Sequence, residues 1–462
     1  MPSQLALLVT IAGIIGFFYL GIRDKGRASI ALWIPVIYVS ILASRPVSMW
    51  FGISPTASAD QLADGSELDR LTFLALQFAA FLVLIGRRKA VLALVRRNLP
   101  VLVFVGYCLA SLAWSDAPFV GFKRWVKLAG DLMMVLIVVT DPNPLGALKR
   151  FLAWPGFILL PMSVVLIKYF PAIGRGYEFW TGTPFFRGIS YNKNGLGAIC
   201  LYWGLALIWL ALVNWKRPRR SAASLLVPLL GIGMAGYLLL MARSATSMSC
   251  LAMGVIILVA TQMRWVARRP VLIHTLVLAM IGTAYAALFL DIGSSALGVL
   301  ERDSTLTGRT ELWEKVLEIR ENPFIGAGFE SFWLGPRLQG LWSIFWWRPT
   351  QAHNGYIEVF LNLGWIGLGL LSWVILSAYG RAIAAVKAGQ MWGGLMVAYT
   401  VVAIPYNFTE ATFRVQNIPW LFLLLASVSL VGARKRMRTA APVQPPRVGE
   451  NASTALQPQQ SR

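Results

Sequence analysis

The chain has 462 residues, 57% of them hydrophobic and only 13% charged, against about 25% charged in soluble domains. That balance excludes a soluble globular protein and describes an integral membrane protein. Lys and Arg outnumber Asp and Glu by 42 to 20, for a net charge of +22. The cations sit in short runs between apolar spans, and no soluble basic domain exists to carry a footprint, so nucleic acid is not expected as a partner.

A membrane-crossing helix needs about 20 apolar residues. In chain order the candidates are 4–22, 28–44, 70–86, 98–114, 125–140, 149–169, 195–213, 222–241, 244–261, 270–290, 355–378, 390–406 and 416–433. They predict an all-α polytopic membrane protein with about 12–13 transmembrane helices. The first apolar run, Leu5 to Leu20, has its positive charges behind it and no basic stretch ahead. It reads as a retained span rather than a cleaved signal.

Charge orients the spans. Basic clusters occur at Arg23/Lys25/Arg27, Arg87/Arg88/Lys89/Arg96/Arg97, Lys149/Arg150, Lys216/Arg217/Arg219/Arg220, Arg264/Arg268/Arg269, Arg381/Lys387 and Arg434/Lys435/Arg436/Arg438. All fall in alternate loops if the N-terminus is outside and the C-terminus inside. The opposite set holds the acidic loop with Asp60, Asp64, Glu67 and Asp69, the loop 170–194, and the large loop 291–354, which is therefore expected to be periplasmic. The expected organisation is ten helices in 1–290, the large loop in 291–354, three helices in 355–433 and a disordered cytoplasmic tail in 434–462. The span interiors are largely uncharged, with Asp131 and Lys168 expected near span ends, and no pair of Gly/Pro-broken spans recurs in corresponding halves. Both points weaken a secondary-transporter reading.

Cys108, Cys200 and Cys250 fall inside apolar runs and read as small core residues, not as a disulfide framework or a metal cluster. Of the two histidines, His274 follows the cytoplasmic Arg268-Arg269-Pro270 and is a poor catalytic candidate. His353 lies where the large loop meets the next span. An imidazole there can accept a proton from an attacking hydroxyl. A metal site needs several convergent ligands, so neither a metal nor a cofactor is expected on this face.

Within the large loop, 307–320 reads as an amphipathic helix with Leu312, Trp313, Val316 and Leu317 on one face. Thr307 is expected to cap it, Asn322-Pro323 to end it, and Arg309 to lie in the first turn beside free amides. Gly326 and Gly328 permit a tight turn. Trp342, Phe345, Trp346 and Trp347 suit an aromatic belt at the membrane surface, or a sugar platform. Five basic residues break the charge rule by mapping to the outer face: Arg187, Lys193, Arg243, Arg309 and Arg414. Guanidinium forks bind phosphate oxygens bidentately, so this set suggests a lipid-borne phosphate or pyrophosphate; pairing with Glu301, Asp303 or Glu410 is the plainer alternative.

At these residues the chain resembles the O-antigen ligase/polymerase superfamily, most closely its exopolysaccharide polymerases. The matching pieces are Arg187 to Gly197, Arg243-Ser244 with Ser247, Gly308 to Trp313, Asn322 to Gly328 with Phe332-Trp333, His353 to Glu358 with Gly364 and Gly367, and Asn407 to Glu410. The resemblance implies a bacterial inner-membrane glycosyltransferase with a GT-C-like bundle, inverting and metal-independent, polymerising undecaprenyl-pyrophosphate-linked oligosaccharides at the periplasmic face. It implies His353 and Arg309 as catalytic residues and Arg187, Lys193, Arg243 and Arg414 as pyrophosphate ligands. Asn192, Asn194, Glu330, Asn354, Tyr356, Glu358 and Glu410 would bind or support the glycan and acceptor. Glu301, Asp303 and Glu330 are rival bases to His353. Partners implied are the lipid-linked oligosaccharide, an acceptor glycan, membrane lipid, and chain-length regulator and export proteins. A ligase that moves glycan to lipid A-core is the alternative on the same scaffold; a lipid-glycan flippase or transporter is the alternative of another class.

Overall fold

The computed structural model describes residues 1–21, 28–53, 66–177, 182–218, 221–289 and 305–428. In chain order the helices are α1 (Ser3–Gly21), α2 (Trp33–Ala43, entered through the 3-10 turn Ile30–Leu32), α3 (Val47–Trp50), α4 (Glu67–Gly86), α5 (Arg88–Val95), α6 (Leu99–Ala110), α7 (Pro118–Val139), α8 (Pro144–Tyr169) and α9 (Pro171–Gly174). They continue with α10 (Lys193–Trp215), α11 (Ala222–Ala242), α12 (Ala245–Ala260), α13 (Arg264–Ala267), α14 (Pro270–Phe289), α15 (Thr305–Glu318), α16 (Gly335–Ile344), α17 (Gly355–Lys387), α18 (Gly393–Thr409) and α19 (Ile418–Ser427). One small hairpin, β1 (Arg175–Tyr177) with β2 (Pro184–Phe186), pairs antiparallel between α9 and α10.

The protein is an all-α polytopic membrane protein, and each span expected from the sequence coincides with a helix. Among the described residues, 7 helices are by themselves long and apolar enough to cross a membrane. The segment expected at 98–114 is one arm of a bent pair: α5 meets the helix that begins at Leu99 at 92°. The tail 434–462 and the clusters Arg23/Lys25/Arg27 and Arg219/Arg220 lie outside the described residues.

Local sequence sets the helix starts. Asn143, Asn192, Ser221, Ser244 and Asn354 each cap a helix through the side chain, satisfying amides that have no intrahelical partner. Helix α10 is the most buried of the long helices and packs on α11, α12 and α8, while α1 and α14 leave apolar faces open, as suits lipid.

Contacts sort the loops into two sets. Ser29 donates to Asp141, which pairs with Arg87 at 3.7 Å, and Lys216 donates to Gln262 at 2.7 Å. In the other set, Arg45 donates to the Ser190 carbonyl at 3.2 Å and Thr246 bonds Thr409 at 2.8 Å. Each of these contacts joins loops that charge alternation assigns to one side.

Two expectations change here. Asp131, expected near a span end, lies in the middle of α7 and is fully buried. It accepts from the Tyr38 hydroxyl at 2.7 Å and the Gln416 amide at 2.9 Å, so a carboxylate within a span is satisfied by local donors. The loop aromatics are mostly a core of the loop itself and not a belt. Phe332, Trp333 and Phe345 are buried against Leu312, Val316, Leu338 and Leu341, with Trp342 and Trp347 packed beside them. Trp346 alone of that group stays widely exposed, at 66%.

Candidate active site

The large loop is anchored to a broken helix. At Gly364, φ is 65° and ψ −164°, so α17 is interrupted there. Its orphaned groups are taken up by the loop: Trp365 and Ile366 donate to the Pro323 and Phe324 carbonyls at 2.9 and 3.1 Å, while Ala327 and Gly328 donate back to Leu361 and Asn362 at 3.0 and 2.9 Å. Gly326 and Gly364 are required because a Cβ on either would come 2.4 and 2.2 Å from the facing backbone. Asn362 also accepts from the Phe332 amide, and Ser111 from the Phe329 amide, both at 3.0 Å. The expected glycine turn is present, the Gly326 amide donating to the Asn322 carbonyl at 2.8 Å, and it is docked on α17 through its backbone.

This docking carries Glu330 to Arg414. Arg414 donates to Glu330 Oε2 through Nη2 at 3.1 Å and Nε at 3.3 Å. Arg124 of α7 donates to the Glu330 carbonyl and lies 4.0 Å from its carboxylate. Burial alone would raise Glu330, but Arg414 and Arg124 hold its carboxyl below the usual range. Burial works against the Arg414 charge, yet Glu330 and Glu358 hold its pKa above the ordinary value. A carboxylate fixed by two guanidinium groups is a poor proton acceptor.

His353 stands beside this pair. Its backbone is left-handed, φ 51°, which is unfavourable for a side chain of this size. Its neighbours hold it there. The Ala352 amide donates to Glu358 Oε1 at 2.5 Å, Trp333 donates to Glu358 Oε2 at 2.9 Å, and Asn354 caps α17 while donating to the Phe408 carbonyl at 3.2 Å. Glu330, Arg243 and Gln416 are also left-handed, at φ 53°, 47° and 53°. Burial, with the fields of Arg309 and Arg414, pushes the His353 pKa down to about 4. The imidazole is therefore neutral at physiological pH, with one ring nitrogen unprotonated. Gln351 Nε2 is 3.4 Å from Nδ1.

Arg309, whose field reaches His353, donates to the Thr409 carbonyl at 2.9 Å, and Asn194 donates to Glu410 Oε1 at 2.7 Å. Burial pushes the Glu410 carboxyl up to about 7, against the pull of Arg309 and Lys193. Asn407 shapes the turn that follows α18, accepting from Thr412 and Phe413 at 2.9 to 3.0 Å. Tyr356 bonds the Ile404 carbonyl at 3.1 Å and packs on Phe413. Lys193, Asn194, Arg309, Glu330, His353, Asn354, Tyr356, Glu358, Glu410 and Arg414 thus meet from distant parts of the chain.

Three expected residues stand at a remove. Arg187 donates to the Ile173 and Ala172 carbonyls at 3.0 and 3.3 Å, beside Arg45, whose pKa burial and Arg187 lower to about 10. Asn192 is the cap of α10, accepting from the Gly195 amide at 2.7 Å. Arg243 is exposed between α11 and α12. Gly197 brings the starts of α10 and α12 together, since a Cβ there would meet Ser247 Oγ at 2.5 Å. The loop helix begins at Thr305, so Thr307 lies inside it rather than capping it, and Arg309 sits beyond the first turn. Arg309 is therefore not beside free helix amides, and its side chain reaches the Thr409 carbonyl. Glu301 and Asp303 lie outside the described residues. His274 bonds the Tyr379 hydroxyl at 2.7 Å.

Sequence reasoning missed Arg45, Arg124 and Lys127. Arg124 and Lys127 share a helix face three residues apart at the start of a span, a signal hidden by the apolar residues around them.

Residues 229–374 match the family model described as O-Antigen ligase; this range takes in Arg243, the loop and His353 to Glu358. Over 379 residues, 78% of this chain and 82% of the relative, the sequence is 26% identical to the Exopolysaccharide production protein ExoQ of Rhizobium meliloti (strain 1021). The resemblance read from the motifs is borne out: a segment of the chain matches the O-Antigen ligase model and, over most of its length, the chain is similar to an exopolysaccharide production protein.

Proposed function

We propose that this protein is a multi-pass glycosyltransferase of the bacterial inner membrane that polymerises undecaprenyl-pyrophosphate-linked oligosaccharides at the periplasmic face. The observation that carries the reading is the convergence of a neutral, half-buried imidazole, His353, with Arg309, Arg414 and Glu410 on the face that bears the large loop. The family match and the ExoQ relative support a polysaccharide ligase or polymerase on this scaffold.

In the mechanism, Arg309 and Lys193 meet the pyrophosphate, with Arg243 and Arg187 reaching it from the rim and Arg414 contributing its field. The acceptor hydroxyl attacks the anomeric carbon from the face opposite the pyrophosphate. The new C–O bond forms as the bond from carbon to pyrophosphate oxygen breaks, which inverts the centre, and the hydroxyl proton passes to His353. Pyrophosphate leaves as an anion already matched to cations, so preorganised charge contributes much of the rate, and holding two large substrates together supplies proximity. Arg309 and Arg414 keep His353 unprotonated until the pyrophosphate offsets their field. The base thus strengthens when substrate arrives. Glu410, poised near neutral pH and bonded to Asn194, positions the acceptor or takes the proton onward. Asn354, Tyr356 and Glu358 hold the His353 backbone and the end of α18 in place.

The test supplies the purified protein with a synthetic undecaprenyl-pyrophosphate repeat unit and resolves products by size. A ladder of repeat units is the expected result. A single shifted acceptor after adding lipid A-core supports the ligase reading, which the family description favours. Lipid movement across the bilayer with no new glycosidic bond overturns both.

A further inference from the structure

A groove of about 560 Å³ lies between the end of α2 and the starts of α4 and α7, within the roughly 300–1,000 Å³ of small-molecule sites. Its walls include Leu42, Phe73, Phe119, Phe122 and Val126, and its rim carries Arg70, Lys123, Arg124 and Lys127 against the carboxylate of Asp69. Most of these charges are engaged. Asp69 accepts from the Ser48 amide and hydroxyl at 3.0 and 2.5 Å, Arg70 pairs with Glu67 at 3.2 Å, and Lys123 lies 4.7 Å over the Phe119 ring. Arg124 donates to the Glu330 carbonyl. Lys127 is the exception: it lines the groove and has no hydrogen-bond partner among the described residues.

An ammonium with no hydrogen bond at the head of an apolar groove, beside a guanidinium and reached by Glu330, Asp131 and Asp69 through their fields alone, has room for the head of an amphipathic anion. The geometry points to a second lipid site, in which a polyprenyl chain lies between α2, α4 and α7 and its pyrophosphate head rests on Lys127 and Arg124. This rests on the proposed polymerase reading, which requires two carrier-linked glycans at once; the groove would hold the carrier of the acceptor. The site is wired to the active centre. Arg124 shares Glu330 with Arg414, so an anion that draws on Arg124 shifts the Glu330–Arg414 pair beside His353.

The experiment uses the full chain in nanodiscs and a polyprenyl pyrophosphate bearing a diazirine on its chain, with the cross-linked peptides mapped. Cross-links to the segments around Phe73 and Phe122 are expected, competed by unlabelled polyprenyl pyrophosphate. Lys127→Glu should reduce them roughly tenfold or more, the scale of a lost hydrogen bond to a charged group. Leu42→Trp, which fills the groove and leaves the cations untouched, should reduce them as well. Equal competition by phosphatidylglycerol would make this an ordinary lipid pocket, and equal competition by inorganic pyrophosphate would make it a head-group site without a chain. Either overturns the inference, as do cross-links confined to other helices. Binding needs no turnover, so cross-linking in a protein that makes no polymer would remove the proposed function and leave the lipid site. Polymerisation without cross-linking here would do the reverse.

Discussion

Asn194 Nδ2 donates to Glu410 Oε1 at 2.7 Å, fastening the first turn of α10 to the residue that follows α18. This bond holds a carboxyl that burial has pushed up to about 7 in the neighbourhood of an imidazole pushed down to about 4. Their ordinary order of acidity is reversed, and pairs of groups driven apart in this way are how acid and base roles are divided at one pH.

The first prediction concerns pH. If the Glu410 carboxylate is needed, activity rises as pH climbs through its raised pKa, so kcat/KM should show an ascending limb near pH 7. Glu410→Gln should remove that limb, and Asn194→Ala should shift it. Initial rates of polymerisation between about pH 5 and 9 read this directly. An unchanged limb in Glu410→Gln assigns it to another group.

The second concerns His353. Arg309 and Arg414 both lower its pKa, so an anion bound between them should raise it. Nitrogen-15 NMR of labelled histidine should show the His353 midpoint moving up when a non-hydrolysable polyprenyl pyrophosphate is added. His353→Gln should lower kcat by about 10² or more, the usual scale for losing a general base. A midpoint that ignores the ligand would place the pyrophosphate elsewhere.

The third separates stability from chemistry at Glu330. Arg414→Ala leaves a buried carboxylate with Arg124 at 4.0 Å as its remaining ion-pair partner and should cost about 3 kcal/mol, the lower end for breaking a buried pair. Arg414→Met with Glu330→Gln removes both charges and should recover much of that loss in thermal unfolding. Activity should stay low in both, because the charge beside His353 is gone. Recovery of activity with recovery of stability would make the pair purely structural.

The helices were legible in the sequence because apolar length is a local property, and the alternation of basic loops followed from it. What sequence hid was long-range. Gly364 sits in an unbroken apolar run, and only the insertion of residues 323–328 shows why the helix breaks there. The loop aromatics are the same in composition whether they face lipid or one another, so Phe332, Trp333 and Phe345 gave no sign of forming a core. Lys127 lay inside an expected span and Arg124 just before it, and neither forms a charge run. Of the site, the motif residues were legible as types in an order; the reversal of the His353 and Glu410 pKa values depends on burial and on arginines from other segments.

The last prediction tests whether the docked loop positions the site. Gly364→Ala forces a side chain into a left-handed position, φ 65°, with its Cβ 2.2 Å from the Phe324 backbone. Backbone cannot yield as a flexible side chain does, so residues 323–328 must lift from α17, and with them Glu330. Gly369→Ala, in the same helix with nothing within 4 Å of the added Cβ, is the control and should be neutral or slightly stabilising. Hydrogen exchange should report the difference as faster exchange of the Trp365, Ile366, Ala327 and Gly328 amides in Gly364→Ala alone. Polymerisation should fall with it, since the loop carries one partner of Arg414 and α17 begins next to His353. If exchange rises and the rate does not fall, the loop is a structural cover and the catalytic geometry is held by α17 and α18 without it.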